Sequence, residues 1–358
     1  MCPNLRNSFW SRMGLQDADR DVCVRAIQVL YPEHTVAEFA DQGYCSFTLS
    51  VAPPPGSSAS SAEYIVQLRP AQHALDGGVA EAARRTYGAL APRMRSLQYD
   101  ELPGGLRAVE MGRLEGTPLA KVDVGGVEWE RQVGLVESFA ECVARGWPAA
   151  VDDGSARCSR ADTPTEGLWL DEHCTGKVGR VIVPKLRKLS VELPCETLRA
   201  RAKDTLLRLL AIEHYPVVLN HGDLIPSNIL VDEETWAVSG LVDWAEAEML
   251  PFGTCLYGLE YLLGGLESTS SVDGVGMKPV WRYRQGSDAL RNIFWQTLKK
   301  ESPKIGENAE EVFLMRDVGV LLWFGYAWDE GAIDRVVNET VSVLYALLGS
   351  WMHSDFLG

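Results

Sequence analysis

The stretch that decides how this chain reads is HGDLIPSNIL at 221–230, with LVDWAEAE at 241–248 behind it. Asp223 stands five residues before Asn228, and Asp243 stands fifteen residues after that Asn. Each segment follows an apolar run, so one loop can supply Asp223 and Asn228 while a neighbouring strand end supplies Asp243. A carboxylate beside a reacting hydroxyl can accept its proton. An amide oxygen and a second carboxylate are hard ligands of the kind Mg²⁺ takes. Either segment alone is a common coincidence, because an Asp and an Asn beside a loop Pro also make ordinary turn hydrogen bonds. Both at this separation are far more specific.

The 358 residues leave room for two domains or lobes. A hydrophobic share of 46% is ordinary for a globular chain with a sizeable core. The formal net charge of −15 argues against a nucleic-acid or anionic-membrane surface, which would need Lys/Arg clusters. It suits solubility, and equally a cationic small molecule. No apolar run reaches the roughly 18 residues of a membrane span. The start, MCPNLRNSFWSRMG, lacks the apolar core of a secretory signal. Eight scattered cysteines without a C-x-x-C pair read as reduced thiols, so a cytoplasmic location is expected.

Periodicity predicts a short helix over 16–31, a hairpin over 35–51, a strand at 63–70, a helix at 77–90 and a strand at 106–114. PPPGSSASSA at 53–62 reads as a flexible loop. Helices are expected at 128–146, 194–213, 287–300, 308–324 and 332–352, with 150–180 as an insertion or long loop. A strand-rich first third followed by a helix-rich remainder describes an α+β molecule with lobes at 1–114 and 115–358.

With these pieces in order, the chain resembles the aminoglycoside phosphotransferase and choline kinase branch of the protein-kinase-like fold. The match is nearest to the fungal phosphotransferase-domain group, and a role in secondary metabolism is expected of the chain. YIVQLRP, VEMGRLEGTPL, VVLNHGDLIPSNILVD, GLVDWAEAEMLPFG and YAWDEGAIDRVV carry the likeness, which spans about 35 to 350. It implies a bilobal fold, with a small antiparallel-sheet N-lobe on the nucleotide side and a larger helical C-lobe. It also implies an ATP- and Mg²⁺-dependent transfer of phosphate to a hydroxyl of a small molecule. Asp223 would then be the base, with Asn228 and Asp243 holding the metal. His221 would orient the loop, and Glu110 and Met111 would present backbone groups to adenine. Glu81 is the candidate helix carboxylate anchoring a phosphate-binding cation. A cationic or polyhydroxylated acceptor would meet Glu246, Trp328 and Asp329, with Glu248 and Glu260 nearby.

The pattern is broken in one place. Family members usually present a Lys from the third strand to the nucleotide phosphates, and Tyr64-Ile65-Val66-Gln67-Leu68-Arg69 has none. Alternation puts Gln67 and Arg69 on one face, so Arg69 can stand where a cation is wanted. The hairpin segment Gln42–Ser46 carries a single Gly where a phosphate-covering loop would prefer more. Two further readings therefore stay open beside the kinase. One is a non-phosphorylating enzyme, such as a cyclase, on the same fold. The other is a pseudokinase-like binding protein.

Overall fold

The computed structural model describes residues 5–54, 56, 63–99, 102–148, 168–270, 277–327, 329, 332–338 and 341–349. The chain divides into one unit of Met1–Gly116 with Ser239–Ala245, and a second of Thr117–Val238 with Glu246–Gly358. The boundary falls two residues beyond the one expected at 114/115. The segment carrying Asp243 groups with the first unit, although sequence order had assigned it to the second.

The first unit runs α1 (Leu5–Arg12), α2 (Asp17–Leu30), β1 (Thr35–Glu38), β2 (Phe47–Ala52), β3 (Tyr64–Arg69), α3 (Gly77–Tyr87), β4 (Met94–Leu97) and β5 (Arg107–Gly112). The strands form one antiparallel sheet in the order β1-β2-β3-β5-β4. Alternation explains it: Phe47, Leu49 and Val51 of β2 and Val66 and Leu68 of β3 are buried. These side chains share a core with Phe9, Trp10, Cys23, Ala26 and Ile27 of α1 and α2. The Asp76 carboxylate caps α3 by accepting the Gly78 and Val79 N–H groups. β4 was not expected, because Met94-Arg95-Ser96-Leu97 lacks alternation.

In the second unit come β6 (Thr117–Pro118), α4 (Trp129–Ala144), α5 (Leu168–His173), α6 (Gly176–Gly179), α7 (Ile182–Glu192) and α8 (Glu196–Leu210). Next are β7 (Val217–Asn220), β8 (Ile229–Asp232), β9 (Ala237–Leu241), whose end returns the chain to the first unit, and β10 (Glu248–Pro251). α9 (Tyr257–Leu263), the hairpin β11 (Gly264–Ser270) and β12 (Met277–Tyr283), α10 (Ser287–Glu301), α11 (Pro303–Glu307), α12 (Ala309–Phe324) and α13 (Val341–Gly349) complete it. β7 pairs with β10, and β6 with β8, both antiparallel. α12 is the central helix and packs on α7, α8, α9 and α13. Its buried residues Val312, Leu314, Met315, Val318, Val320 and Leu321 go all round it, as a surrounded helix requires.

Two expectations are corrected here. Of the helix predicted over 332–352, α13 takes up 341–349, residues 332–338 are not helical because the Tyr326↔Val336 and Asp329↔Ala332 bridges hold that stretch, and 339–340 and 350–352 lie outside the described residues. The expected loop at 150–180 contains α5 and α6, and the part at 149–167 lies outside the described residues. Most of the predicted loop at 53–62 also lies outside them. The six described cysteines are free thiols. No described helix is long and apolar enough to cross a membrane.

A buried acid locks the first sheet. Glu110 accepts from Arg95 through both carboxylate oxygens, at 2.6 and 2.7 Å, and from the Tyr31 hydroxyl of the α2–β1 turn. Burial alone would raise its pKa, but these donors outweigh burial and hold it below the ordinary carboxylate value. The stabilisation is therefore complete above the unfolded-state pKa and is lost as pH falls through the depressed native one. Glu110→Gln is expected to cost about 1.5–3 kcal/mol near neutrality. In urea titrations over a pH series, its gap from wild type should close on acidification below about pH 4. A gap independent of pH would assign the effect to shape and not charge.

Candidate active site

β7 delivers the loop 221–228, and the second unit fixes it from below. Asn220 is buried at the strand end, donating to the Leu250 carbonyl at 3.0 Å and accepting the Cys255 N–H at 3.2 Å. His221 is buried beside it. Gly222 has φ +77, and its N–H donates to Cys255 Sγ at 3.3 Å. A Cβ there would overlap the Glu246 carbonyl oxygen, so only Gly lets the loop pass. Burial pushes the Cys255 thiol up to about 12, against hydrogen bonds from the loop N–H groups. It stays a neutral acceptor and not a nucleophile. The Leu224 N–H donates to the Tyr257 hydroxyl at 3.1 Å.

Within the loop, the Asn228 amide donates to both the Asp223 backbone carbonyl, at 2.8 Å, and its carboxylate Oδ2, at 2.9 Å. One amide thus sets the loop's curvature and the direction of the acid. Donating through nitrogen turns the Asn228 oxygen away from Asp223, and the Ser227 hydroxyl lies 3.5 Å from it. Asp223 and Asn228 are therefore a built pair, as their spacing suggested.

Asp243 belongs to the first unit. It is a non-glycine residue at φ +60, a conformation that costs of order 1 kcal/mol and persists only when its surroundings impose it. Trp244 imposes it: its indole donates to the Leu241 carbonyl at 2.9 Å, and its ring lies 5.1 Å from that of Tyr87. The Asp243 side chain is about half exposed, and its Oδ1 lies 3.3 Å from Nη2 of Arg69. Arg69 itself is buried, with Nε donating to Gln67 at 2.9 Å and Nη1 to the His73 carbonyl at 3.4 Å. Gln67 and Arg69 therefore share a face, as alternation predicted, and Arg69 grips Asp243.

Glu81 is corrected. It lies on the exposed side of α3 and pairs with Arg85 one turn on, at 3.0 Å. The buried face of that helix is carried by Ala83 and Tyr87, so Glu81 points away from the sheet. The hinge at Glu110 and Met111 is corrected too. Arg113 N–H bonds Glu63 O, and Gly112 N–H bonds Arg93 O. Antiparallel alternation then commits the backbone of Met111 to Ile65 and that of Glu110 to Arg95. Backbone that could meet an adenine edge must lie beyond this ladder.

The expected acidic surface is mostly committed internally. Glu248 accepts the Lys177, Val178 and Gly179 N–H groups at 2.5 to 3.0 Å, pinning α6. Burial raises its pKa despite those donors. Glu260 is wholly buried against Arg316 at 2.6 Å and the Tyr283 hydroxyl at 2.7 Å. Asp329 is held through both oxygens by Arg335, at 2.7 and 2.9 Å, which lowers its pKa. Glu246 remains about half exposed, 3.9 Å from Lys177. Trp328 lies outside the described residues. Sequence reasoning missed Cys255 and Tyr257, whose only signal was a place shortly after the second motif.

Gly222→Ala is expected to lower stability by about 2 kcal/mol or more, because left-handed strain adds to a backbone overlap. Chemical denaturation checks it, and a change within 0.5 kcal/mol would mean the loop has another path.

The model of the phosphotransferase enzyme family (APH) matches residues 56–253, a little over half of the chain. No curated protein matches. Among solved structures, the GDP complex of aminoglycoside 2'-phosphotransferase-IIIa is similar over 96% of this chain and 95% of its own, at 13% identity and a TM-score of 0.51. The apoenzyme of macrolide 2'-phosphotransferase MphH from Brachybacterium faecium is similar over 86% and 92%, at 15% identity and 0.46. Aminoglycoside phosphotransferase APH(3'')-Id from Streptomyces rimosus is similar over 85% and 98%, at 15% and 0.43. The first of these likenesses shows the fold, which is the protein-kinase-like one. With its motifs at 221–228 and 241–248 inside the matched segment, the chain belongs to the phosphotransferase enzyme family.

Proposed function

We propose that this protein transfers the γ-phosphoryl group of ATP, with magnesium, to a hydroxyl of a small molecule. The observation that carries the reading is the Asn228 clamp on Asp223, which aims a carboxylate from a loop that only Gly222 permits. Asp223 takes the proton of the acceptor hydroxyl as that oxygen bonds the γ-phosphorus and the bond to the ADP oxygen breaks. Positioned base catalysis of this kind contributes ~10²–10⁴ in rate.

The oxygens of Asn228 and Asp243 suit a hard divalent cation, and the strain at Asp243 keeps a carboxylate partly exposed at a cost to the fold. We assign both to magnesium, which when bound neutralises phosphate charge. Arg69 is a positioning residue that holds Asp243, with Gln67 orienting its fork. A role in secondary metabolism and a cytoplasmic setting belong to the same proposal. A second reading has one observation in its favour: Arg69, the only cation of β3, already has three protein partners. An enzyme of the same fold that works without nucleotide would have that arrangement. Thermal shift separates the two, because ATP with Mg²⁺ should raise Tm through ligand linkage only under the first. Product formation without nucleotide would establish the second.

Asp223→Asn is expected to lose at least about 10²-fold in kcat with ATP affinity nearly unchanged, since Asn keeps the shape but cannot take the proton. Single-turnover assays alongside isothermal titration check it, and wild-type turnover would remove Asp223 from the chemistry. Asp243→Ala should abolish the Mg²⁺ dependence of ATP binding and cost about 1 kcal/mol, because buried Arg69 loses its counter-charge. Titrations with and without Mg²⁺ test this, and an unchanged metal requirement would place the metal elsewhere.

A further inference from the structure

The Asn228 clamp gives the 221–228 loop its shape but, being internal to the loop, does not tie it to the body of the unit. Part of that tie comes from the turn that opens α9. The peptide after Asp223 is held at both ends. Its carbonyl accepts from the Asn228 amide at 2.8 Å and the Ile225 N–H at 3.0 Å. Its N–H, that of Leu224, donates to the Tyr257 hydroxyl at 3.1 Å. On the other flank of Asp223, the Gly222 N–H goes to Cys255, two residues ahead of that tyrosine. Leu224 also sits down on α9, where a Cβ at Gly258 would come within 2.8 Å of its side chain and 3.1 Å of its carbonyl oxygen. A planar peptide held by both polar groups fixes the backbone angle of the residue before it, and so the direction in which the Asp223 side chain leaves the chain.

Tyr257 is suited to hold one point in space. It is buried, its ring lies flat on that of Trp323 with centroids 4.9 Å apart and planes at 9°, and Phe324 meets it edge-on at 6.5 Å and 89°. A phenol oxygen lies on the axis about which its ring turns, so rotation of the ring leaves that oxygen in place. Burial holds the Tyr257 pKa well above the ordinary phenol value, which makes the residue a fixed hydrogen-bonding group and not an acid or base of the reaction. Its hydroxyl is also hydrogen-bonded to Cys255. The acceptors serving the two flanks of Asp223 are therefore joined to each other. Misplacing a reacting group by about 1 Å can cost of order 10²-fold in rate, so such an anchor matters to catalysis.

We propose that Tyr257 is a positioning residue for the transfer: by holding the Leu224 N–H, its hydroxyl fixes the tilt of the 221–228 loop and the line along which Asp223 meets the acceptor hydroxyl. The proposal rests on Asp223 as the base.

The test uses the full chain with Mg²⁺ and ATP, water standing in as acceptor, in a cycle of Tyr257→Phe, Asp223→Asn and the double variant. Phe keeps the ring on Trp323 and removes the hydroxyl alone. Tyr257→Phe is expected to lower kcat about tenfold with the Kd for ATP unchanged, and to lower nothing further in the Asp223→Asn background, because it acts through that carboxylate. Hydrogen exchange read by mass spectrometry needs no turnover and carries the test where hydrolysis is too slow to follow. The amides of 221–225 should exchange about tenfold faster in Tyr257→Phe, with those of α8 and α12 unchanged. Unchanged exchange at 221–225, or exchange that quickens throughout the unit, overturns the proposal. So does a kcat that stays at the wild-type value, or one that falls by the same factor with and without the Asp223 carboxylate. Wild-type turnover in Asp223→Asn is the separate result that would sink the base assignment, and this proposal with it.

Discussion

The close passage of Gly222 over the Glu246 carbonyl is the constraint on which the rest of the second unit's site depends. No side chain fits there, so the chain leaves β7 in a left-handed turn and the Gly222 N–H reaches Cys255. That turn sets the direction of Asp223, and Asn228 closes the loop from its other end. Asn220 below, tied to Leu250 and Cys255, keeps β7, β10 and the start of α9 in one frame. Local hydrogen bonds thus accomplish what a hydrophobic core cannot, which is to fix a carboxylate's orientation and not merely its depth.

Behind this frame lies an unusual amount of buried charge. Glu260 and Arg316 are fully buried and paired, and Arg316 also bonds Asp317 and the Leu347 carbonyl, which ties α9, α12 and α13 together. Arg201 of α8 reaches Asp317 as well. Burying such charges is expensive, and apolar residues of similar volume are often at least as stabilising. Their merit is geometric, because each bond specifies which helix meets which. Tyr283 joins the network through its hydroxyl, so the hairpin β11–β12 and its rings are held by the same acid.

The acidity of the chain illustrates why composition is a weak guide to a site. A net charge of −15 suggests many carboxylates for a cationic ligand. Yet Glu248, Glu260 and Asp329, which sequence placed at such a surface, answer to backbone N–H groups or to arginines of the same unit. Glu81 and Glu110 have likewise found partners in Arg85 and Arg95.

What the sequence determined is whatever depends on neighbours a few residues away. Alternation in Tyr64–Arg69 marked a strand and set Gln67 and Arg69 on one face, and the H-G-D-x₄-N spacing closed a loop whose clamp is local. Helix periodicity located α2, α4, α8, α10 and α12 to within a few residues. The tertiary structure alone decided the rest. β4 and the hairpin β11–β12 are strands without a pattern, formed because partners were there to pair with. Arg69 meets Asp243 across 174 residues, and Trp323 meets Tyr257 from another helix. Pairings of that kind depend on which faces of distant elements are buried together, and no short window of sequence contains that information.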